Sequence, residues 1–127
     1  MNALRSYSKT QQETASRERL MILLFQAALR HMRAGAEALE KKQFDKFVVP
    51  LSKASDIVME LYGTLDMQRA PELCKNLGDV YEFVSFQLIS SISSRDPNYA
   101  RNAEKVFAPI VEAFEQAVAS LPADGAR

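Results

Sequence analysis

The chain has 127 residues, enough for one domain with a sizeable core. Its sixteen basic and sixteen acidic side chains cancel, which argues against a general nucleic-acid or membrane-surface binder, since those carry a basic excess. Apolar residues make up 47% and charged residues 25%, the balance of a soluble globular protein, and the single cysteine, Cys74, excludes an internal disulfide and fits a reducing compartment.

Glycine and proline are scarce and no stretch alternates polar with apolar residues, so the expected class is all-α. Residues 1–15 are polar with scattered apolar residues, Leu4, Tyr7 and Ala15, and are expected to form a flexible arm without a signal-peptide core. Ser16 is a plausible N-cap, with Glu18 well placed against the helix dipole. The first helix is expected from Arg17 to Lys41. Its segment Leu20 to Leu29 is apolar at every position but Gln26. A helix on one core needs an apolar stripe on only part of its circumference, so this segment is either central or holds a second face for something else. It is far short of the ~20 residues that span a bilayer. Together with the reducing-compartment cysteine, that suggests a cytoplasmic protein.

The second helix is expected over Phe44 to Leu65. Phe47, Leu51, Ala54, Val58, Leu61 and Leu65 form a seam with steps of four and three. Pro50 is a misfit there, costing ~3 kcal/mol inside a helix, so the helix either kinks or starts nearer Pro50. Asp66 to Ala70 connects to a third helix opened by Pro71 and ending near Ser91. Leu73, Leu77, Val80, Val84 and Leu88 line one of its faces, while Cys74, Tyr81, Phe83, Phe86 and Ile89 spread apolar surface beyond it. Asp96-Pro97 supplies a cap and a first-turn proline for a fourth helix ending near Ser120. Tyr99, Ala103, Val106, Ile110, Ala113 and Ala117 repeat the seam, with a kink expected at Pro109. The tail, Leu121 to Arg127, is expected to be disordered. Four helices with short connections imply an antiparallel up-down four-helix bundle, a single domain over residues 1–127.

Reactive chemistry is thin. His31 is the only histidine, which excludes multi-histidine metal sites. Cys74 lies near a helix N-terminus beside Lys75, yet no histidine or carboxylate constellation accompanies it, so a small core residue is the plainer reading. There is no glycine-rich phosphate loop and no nucleophile elbow. The chain is not expected to be an enzyme or to carry a cofactor. Surplus apolar surface remains. Either a compact bundle or a homodimer absorbs it, or grooves between helices receive an amphipathic partner segment.

Three ordered motifs bear on that choice. The first is Tyr7-Ser8-Lys9-Thr10-Gln11-Gln12-Glu13-Thr14-Ala15-Ser16, followed by Leu20, Leu24-Phe25 and Ala28. The second is Lys53-Ala54-Ser55-Asp56-Ile57-Val58-Met59-Glu60-Leu61, continuing through Leu65-Asp66-Met67. The third is Glu72-Leu73-Cys74-Lys75-Asn76-Leu77 with Tyr81 and Phe83. In this order and spacing they resemble the flagellar export chaperone family FliS, over about Tyr7 to Phe114. Departures from the family pattern are Phe25 in place of a tyrosine, Gln26-Ala27 for Asp-Gly, Arg69-Ala70-Pro71 for a Gly-Gly pair, and Phe114 for a tryptophan; Pro50 and Pro109 are also unusual.

The resemblance implies a cytoplasmic four-helix bundle that binds the disordered C-terminal segment of flagellin, blocks premature polymerisation, and delivers the subunit to the type III export apparatus. It also implies contact with the cytoplasmic domain of the export-gate protein FlhA, and an N-terminal arm that can cover an apolar groove. The partner-binding residues expected on this basis are Tyr7, Leu20, Leu23, Leu24, Phe25, Ala28, Leu61, Leu65, Leu73, Asn76, Leu77, Val80 and Tyr81. Tyr7 stands out because an arm residue has little core duty, and Asn76 because a polar side chain beside a seam can bond a partner's backbone. The alternative function is a self-associating structural bundle or adaptor without a flagellin client.

Overall fold

Helix-ending signals in the sequence become helix ends in three dimensions. The computed structural model describes the backbone of residues 2–121 and the side chains of residues 16–121. Its elements are α1 (Asn2–Glu40), α2 (Val48–Gly63), α3 (Pro71–Ser94) and α4 (Pro97–Ala119). Pro71 and Pro97 open α3 and α4, where a missing N–H costs nothing. The Asp96 side chain caps α4 by accepting from the Asn98 N–H at 2.9 Å. Helix α1 stops in a Schellman turn. The Gln43 N–H donates to the Ala38 carbonyl (2.8 Å) and the Lys42 N–H to the Leu39 carbonyl (3.0 Å). Lys42 takes the left-handed conformation this requires, with φ 57°.

Several boundaries differ from expectation. The backbone of α1 is helical from Asn2, so Ser16 lies inside the helix and is not its N-cap. No glycine or proline interrupts residues 2–16. The side chains of the expected arm, Tyr7 among them, and residues 122–127 of the expected tail lie outside the described residues. Helix α2 begins at Val48 and ends at Gly63, inside the expected Phe44–Leu65. Pro50 is thus its third residue, and in the first turn its missing N–H deprives no carbonyl of a partner. Helix α3 runs one turn past Ser91. Ser94 Oγ donates to the Ser90 carbonyl (2.6 Å) in the last turn, and Ser91 Oγ donates to the carbonyl of Asp96 (2.7 Å), tying the end of α3 to the cap of α4. Helix α4 continues through Pro109. Pro109 and Lys105 are both exposed, so water can reach the carbonyl that the proline leaves without its usual donor.

Each helix packs against two others: α1 against α2 and α4, and α3 against α2 and α4. The helices therefore stand at the corners of a square in chain order, with α1 diagonal to α3. Paired side chains show the antiparallel sense. Gln26 meets Glu115, Arg33 meets Glu104 and Arg101 meets Glu40 across α1 and α4. Ser55 meets Ser85 and Tyr62 meets Glu82 across α2 and α3.

The core contains the α2 seam as expected: Phe47, Leu51, Ala54, Val58 and Leu61 are buried. On α4 the expected seam is displaced. Ala100, Ala103, Phe107 and Val111 are buried, Val106 and Ile110 are half-buried, and Tyr99, Ala113 and Ala117 are exposed. Phe107 decides this rotation. Its ring stacks on Phe25 at 5.8 Å, while Phe114 stacks on the same ring at 4.3 Å. An aromatic side chain outweighs alanines in apolar area. On α3 the expected face is likewise turned. Cys74, Gly78, Tyr81, Val84 and Leu88 face inward, Leu77 and Val80 are half-buried, and Leu73 is exposed.

Candidate partner-binding grooves

The apolar stretch of α1 divides as a two-faced helix would. Ile22, Phe25, Ala28 and Leu29 point into the core. Leu20 and Leu23, 61% and 58% exposed, point out, and Leu24 is half-buried between them. The question raised by the sequence therefore has a geometric answer: one face builds the bundle and the other carries free apolar surface.

The α1–α4 face is closed by charge. Gln26 Nε2 donates to Glu115 Oε2 (2.8 Å) and Arg33 Nε to Glu104 Oε2 (2.7 Å). Arg101 bonds both Glu40 oxygens, at 2.9 and 2.7 Å, and Glu104 Oε1 at 2.7 Å. Burial works to raise the Glu104 carboxyl, but hydrogen bonds from Arg101 and Arg33 outweigh it and hold the group below its ordinary value. The Arg101 hydrogen bond does the same for Glu40.

The α3–α4 face is different. Gln87 and Asn102 join the two helices through a 3.4 Å amide hydrogen bond. From that point a stripe runs back along α3 through Phe83, Val80, Asn76 and Leu73, in steps of three and four. A matching stripe runs forward along α4 through Val106, Ile110, Ala113 and Ala117. Each of these residues is exposed or half-buried. The result is a shallow apolar groove about 21 Å long at 1.5 Å per residue, floored by Leu77, Val80, Val106 and Ile110, which pack on the core. Ala113 and Ala117 leave room for a close approach. The seam read on α4 is thus a real repeat, but it borders this groove rather than the centre of the bundle.

The thirteen expected partner-binding residues sort as follows. Leu73, Asn76, Leu77 and Val80 come together in the α3–α4 groove. Leu20, Leu23 and Leu24 lie on α1, diagonally across the bundle. Leu65 is half-buried against a cavity between α2 and α3. Phe25, Ala28, Leu61 and Tyr81 are core residues that offer no surface in this conformation, because the ring stacking and the bundle seams claim them. Burial pushes the Tyr81 phenol up to about 12, with the nearby Cys74 adding to it, so it stays neutral at any physiological pH. Tyr7 lies outside the described side chains.

Sequence reasoning missed the exposed Val48, Val49, Met59 and Met67. Phe86 and Ile89 it flagged only as surplus, and Phe83 as surplus and as part of the third motif; all three are exposed, Phe86 by 66%. Their signal was present in the spread of apolar residues beyond any single α3 stripe. Cys74 is buried, with Sγ donating to the Asp66 carbonyl at 3.2 Å. Among the described residues no group of His, Cys, Asp and Glu is placed to hold a metal, and no helix is long and apolar enough to cross a membrane.

The family model described as "Flagellar protein FliS" matches residues 1–121. The chain is 26% identical over 119 residues to the flagellar secretion chaperone FliS of Bacillus subtilis, covering 94% of this chain and 88% of that protein. It is 30% identical over 100 residues to the flagellar secretion chaperone FliSB of Pseudomonas aeruginosa, covering 76% and 79%. It is 25% identical over 118 residues to the flagellar secretion chaperone FliS of Vibrio cholerae, covering 90% and 87%. A four-helix bundle whose residues 1–121 are matched by the FliS family model places the chain in the FliS family of flagellar secretion chaperones.

Proposed function

We propose that the protein is a cytoplasmic export chaperone that binds the disordered C-terminal segment of flagellin, prevents its premature polymerisation and delivers it to the flagellar type III export apparatus. One observation carries this reading in a chain of this family: the half-exposed apolar groove between α3 and α4, which none of the protein's own described side chains fills. A disordered client that folds on binding lays an amphipathic helix in such a groove. It gains area at the expense of ordering entropy, which suits a reversible carrier. Leu20 and Leu23 sit on the diagonal helix, so a client that reaches them as well is a long segment passing around the bundle rather than one short helix. Contact with the cytoplasmic domain of FlhA belongs to the same proposal, as the delivery step.

The test is isothermal titration of the flagellin C-terminal segment from the same organism into wild type and into Ala113→Trp, which fills the groove from an exposed position. Binding to wild type with at least about a tenfold loss in the variant, ~1.4 kcal/mol, at unchanged melting temperature supports the reading. Failure of wild type to bind any of the organism's flagellin segments overturns it. The self-associating alternative is separated by light scattering: a stable dimer indifferent to the flagellin segment favours it.

A further inference from the structure

We propose that the cavity between α2 and α3 is a second client subsite, taking a bulky apolar side chain from a stretch of the client that also carries lysine or arginine. This rests on the flagellin-client reading above. The cavity measures about 250 Å³ and is lined by Tyr62, Leu65, Met67, Cys74 and Gly78, with Lys75 and Asp79 alongside. An apolar cavity of roughly 150 Å³ already accepts a benzene ring, so a leucine or phenylalanine side chain fits.

Its walls are held in place. The Cys74–Asp66 hydrogen bond ties the α2–α3 connection to the first turn of α3, and Tyr62 Oη donates to Glu82 Oε1 at 3.0 Å. Gly78 adds no side chain to the space, and a Cβ there would touch the walls, meeting Tyr62 at 3.5 Å and Leu65 at 3.6 Å.

Charge selects the occupant. The Tyr62 phenol is raised first by its hydrogen bond to Glu82, then by the charge of Glu82, burial and the charge of Asp79, so both carboxylates bear on this rim. Lys75 offsets them weakly, since its 3.8 Å pairing with Asp79 is exposed. At the rim itself stand the carboxylates of Asp79 and Glu82 and the ammonium of Lys75. An apolar cavity with an acidic rim favours an apolar anchor with basic neighbours, steered by complementary potential.

The experiment uses fluorescence titration of the full chain with two labelled probes: the flagellin C-terminal segment, and the same peptide with its lysines and arginines changed to glutamine. The receptors are wild type, Asp79→Asn/Glu82→Gln and Gly78→Phe, each checked by circular-dichroism melting. The double charge variant alters two exposed residues and keeps an amide oxygen to accept from Tyr62, so it should fold normally with the wall in place. It is expected to bind the native peptide about tenfold more weakly at low salt and the glutamine peptide no more weakly than wild type does. Gly78→Phe is expected to weaken both peptides. If the native peptide binds wild type and both variants bind within about twofold of it, this subsite is wrong while the client reading stands. If wild type itself binds no native peptide, the client reading fails and takes the subsite with it.

Discussion

Helix α1 approaches α2 tightly at Gly35, and the contact makes a sharp test of the packing. A Cβ placed there would overlap Cγ and Cδ2 of Leu51 and lie 3.4 Å from its Cδ1. Leu51 is fully buried on the α2 seam and has no free space to rotate into. Gly35→Ala gains about 1 kcal/mol of helix propensity but forces overpacking, which costs about 1–3 kcal/mol. Because the overlap involves the branch carbon and not only a terminal methyl, the steric cost should prevail, leaving the variant about 1–2 kcal/mol less stable. The same change at Gly63 is the control, since nothing lies within 4 Å of a Cβ there. Gly63→Ala should be neutral or up to about 1 kcal/mol more stable. Leu51→Ala alone should cost about 2–5 kcal/mol, and adding Gly35→Ala should then cost little, because the new methyl enters the space vacated. The two changes should therefore couple by about 1 kcal/mol or more. Urea unfolding of wild type and the four variants, followed by circular dichroism, reads all these values. Gly35→Ala as stable as Gly63→Ala would refute the close α1–α2 contact.

Other outcomes follow from single features of the bundle. Lys42→Gly should stabilise by about 0.5–1 kcal/mol, because glycine takes the left-handed conformation without strain and the two Schellman hydrogen bonds remain; thermal melting checks it. Glu40 and Glu104 lie below their ordinary value of 4.5 when folded, so the unfolded chain binds more protons as pH falls. Their contribution is present above about 4.5 and fades as pH drops through the lower folded values. Glu104→Gln should therefore lower stability mainly in the neutral region, where the contribution is present, and flatten the fall below about 4.5 so that the two curves converge at acid pH; an unaltered acid limb counts against the Arg33–Glu104–Arg101 network. Phe25→Ala should cost about 3–5 kcal/mol in urea unfolding, as a core ring with two stacked neighbours does.

The fold class, the helix count and the proline-marked helix starts were legible because each rests on a local signal. Pro71 and Pro97 cannot sit in a mature helix interior without penalty, and Asp96 has an obvious donor to cap. The α2 seam was legible because Phe47, Leu51, Ala54, Val58 and Leu61 follow one another in steps of four and three. On α3 and α4 more than one stripe satisfies the period. Leu73-Leu77-Val80 and Cys74-Gly78-Tyr81 lie on adjacent tracks of one helix, and periodicity cannot rank them; the volume of Tyr81 does. On α4 four alanines gave both tracks similar weight, until the Phe107 ring found its partner in Phe25. The extent of α1 was obscured by Ser16, whose preference for N-caps is a tendency that an uninterrupted helix overrides.

That same ambiguity explains where the candidate site lies. A helix in a square bundle needs one buried stripe, and a second stripe at the same period has only the flank left to occupy. On α3 and α4 these second stripes face each other and make the groove. On α1 the second stripe, Leu20 and Leu23, lies diagonally opposite. The α1–α4 flank is closed by paired charges, whereas the α3–α4 flank is lined by apolar side chains. Exposed leucine and phenylalanine on a monomer are an association liability unless a partner covers them. The groove between α3 and α4 lies away from the ion-paired face, which separates the residues that hold the bundle closed from those available to a client. Substitutions at Leu73, Asn76, Ala113 or Ala117 can then change what is bound without loosening the helices that bind it.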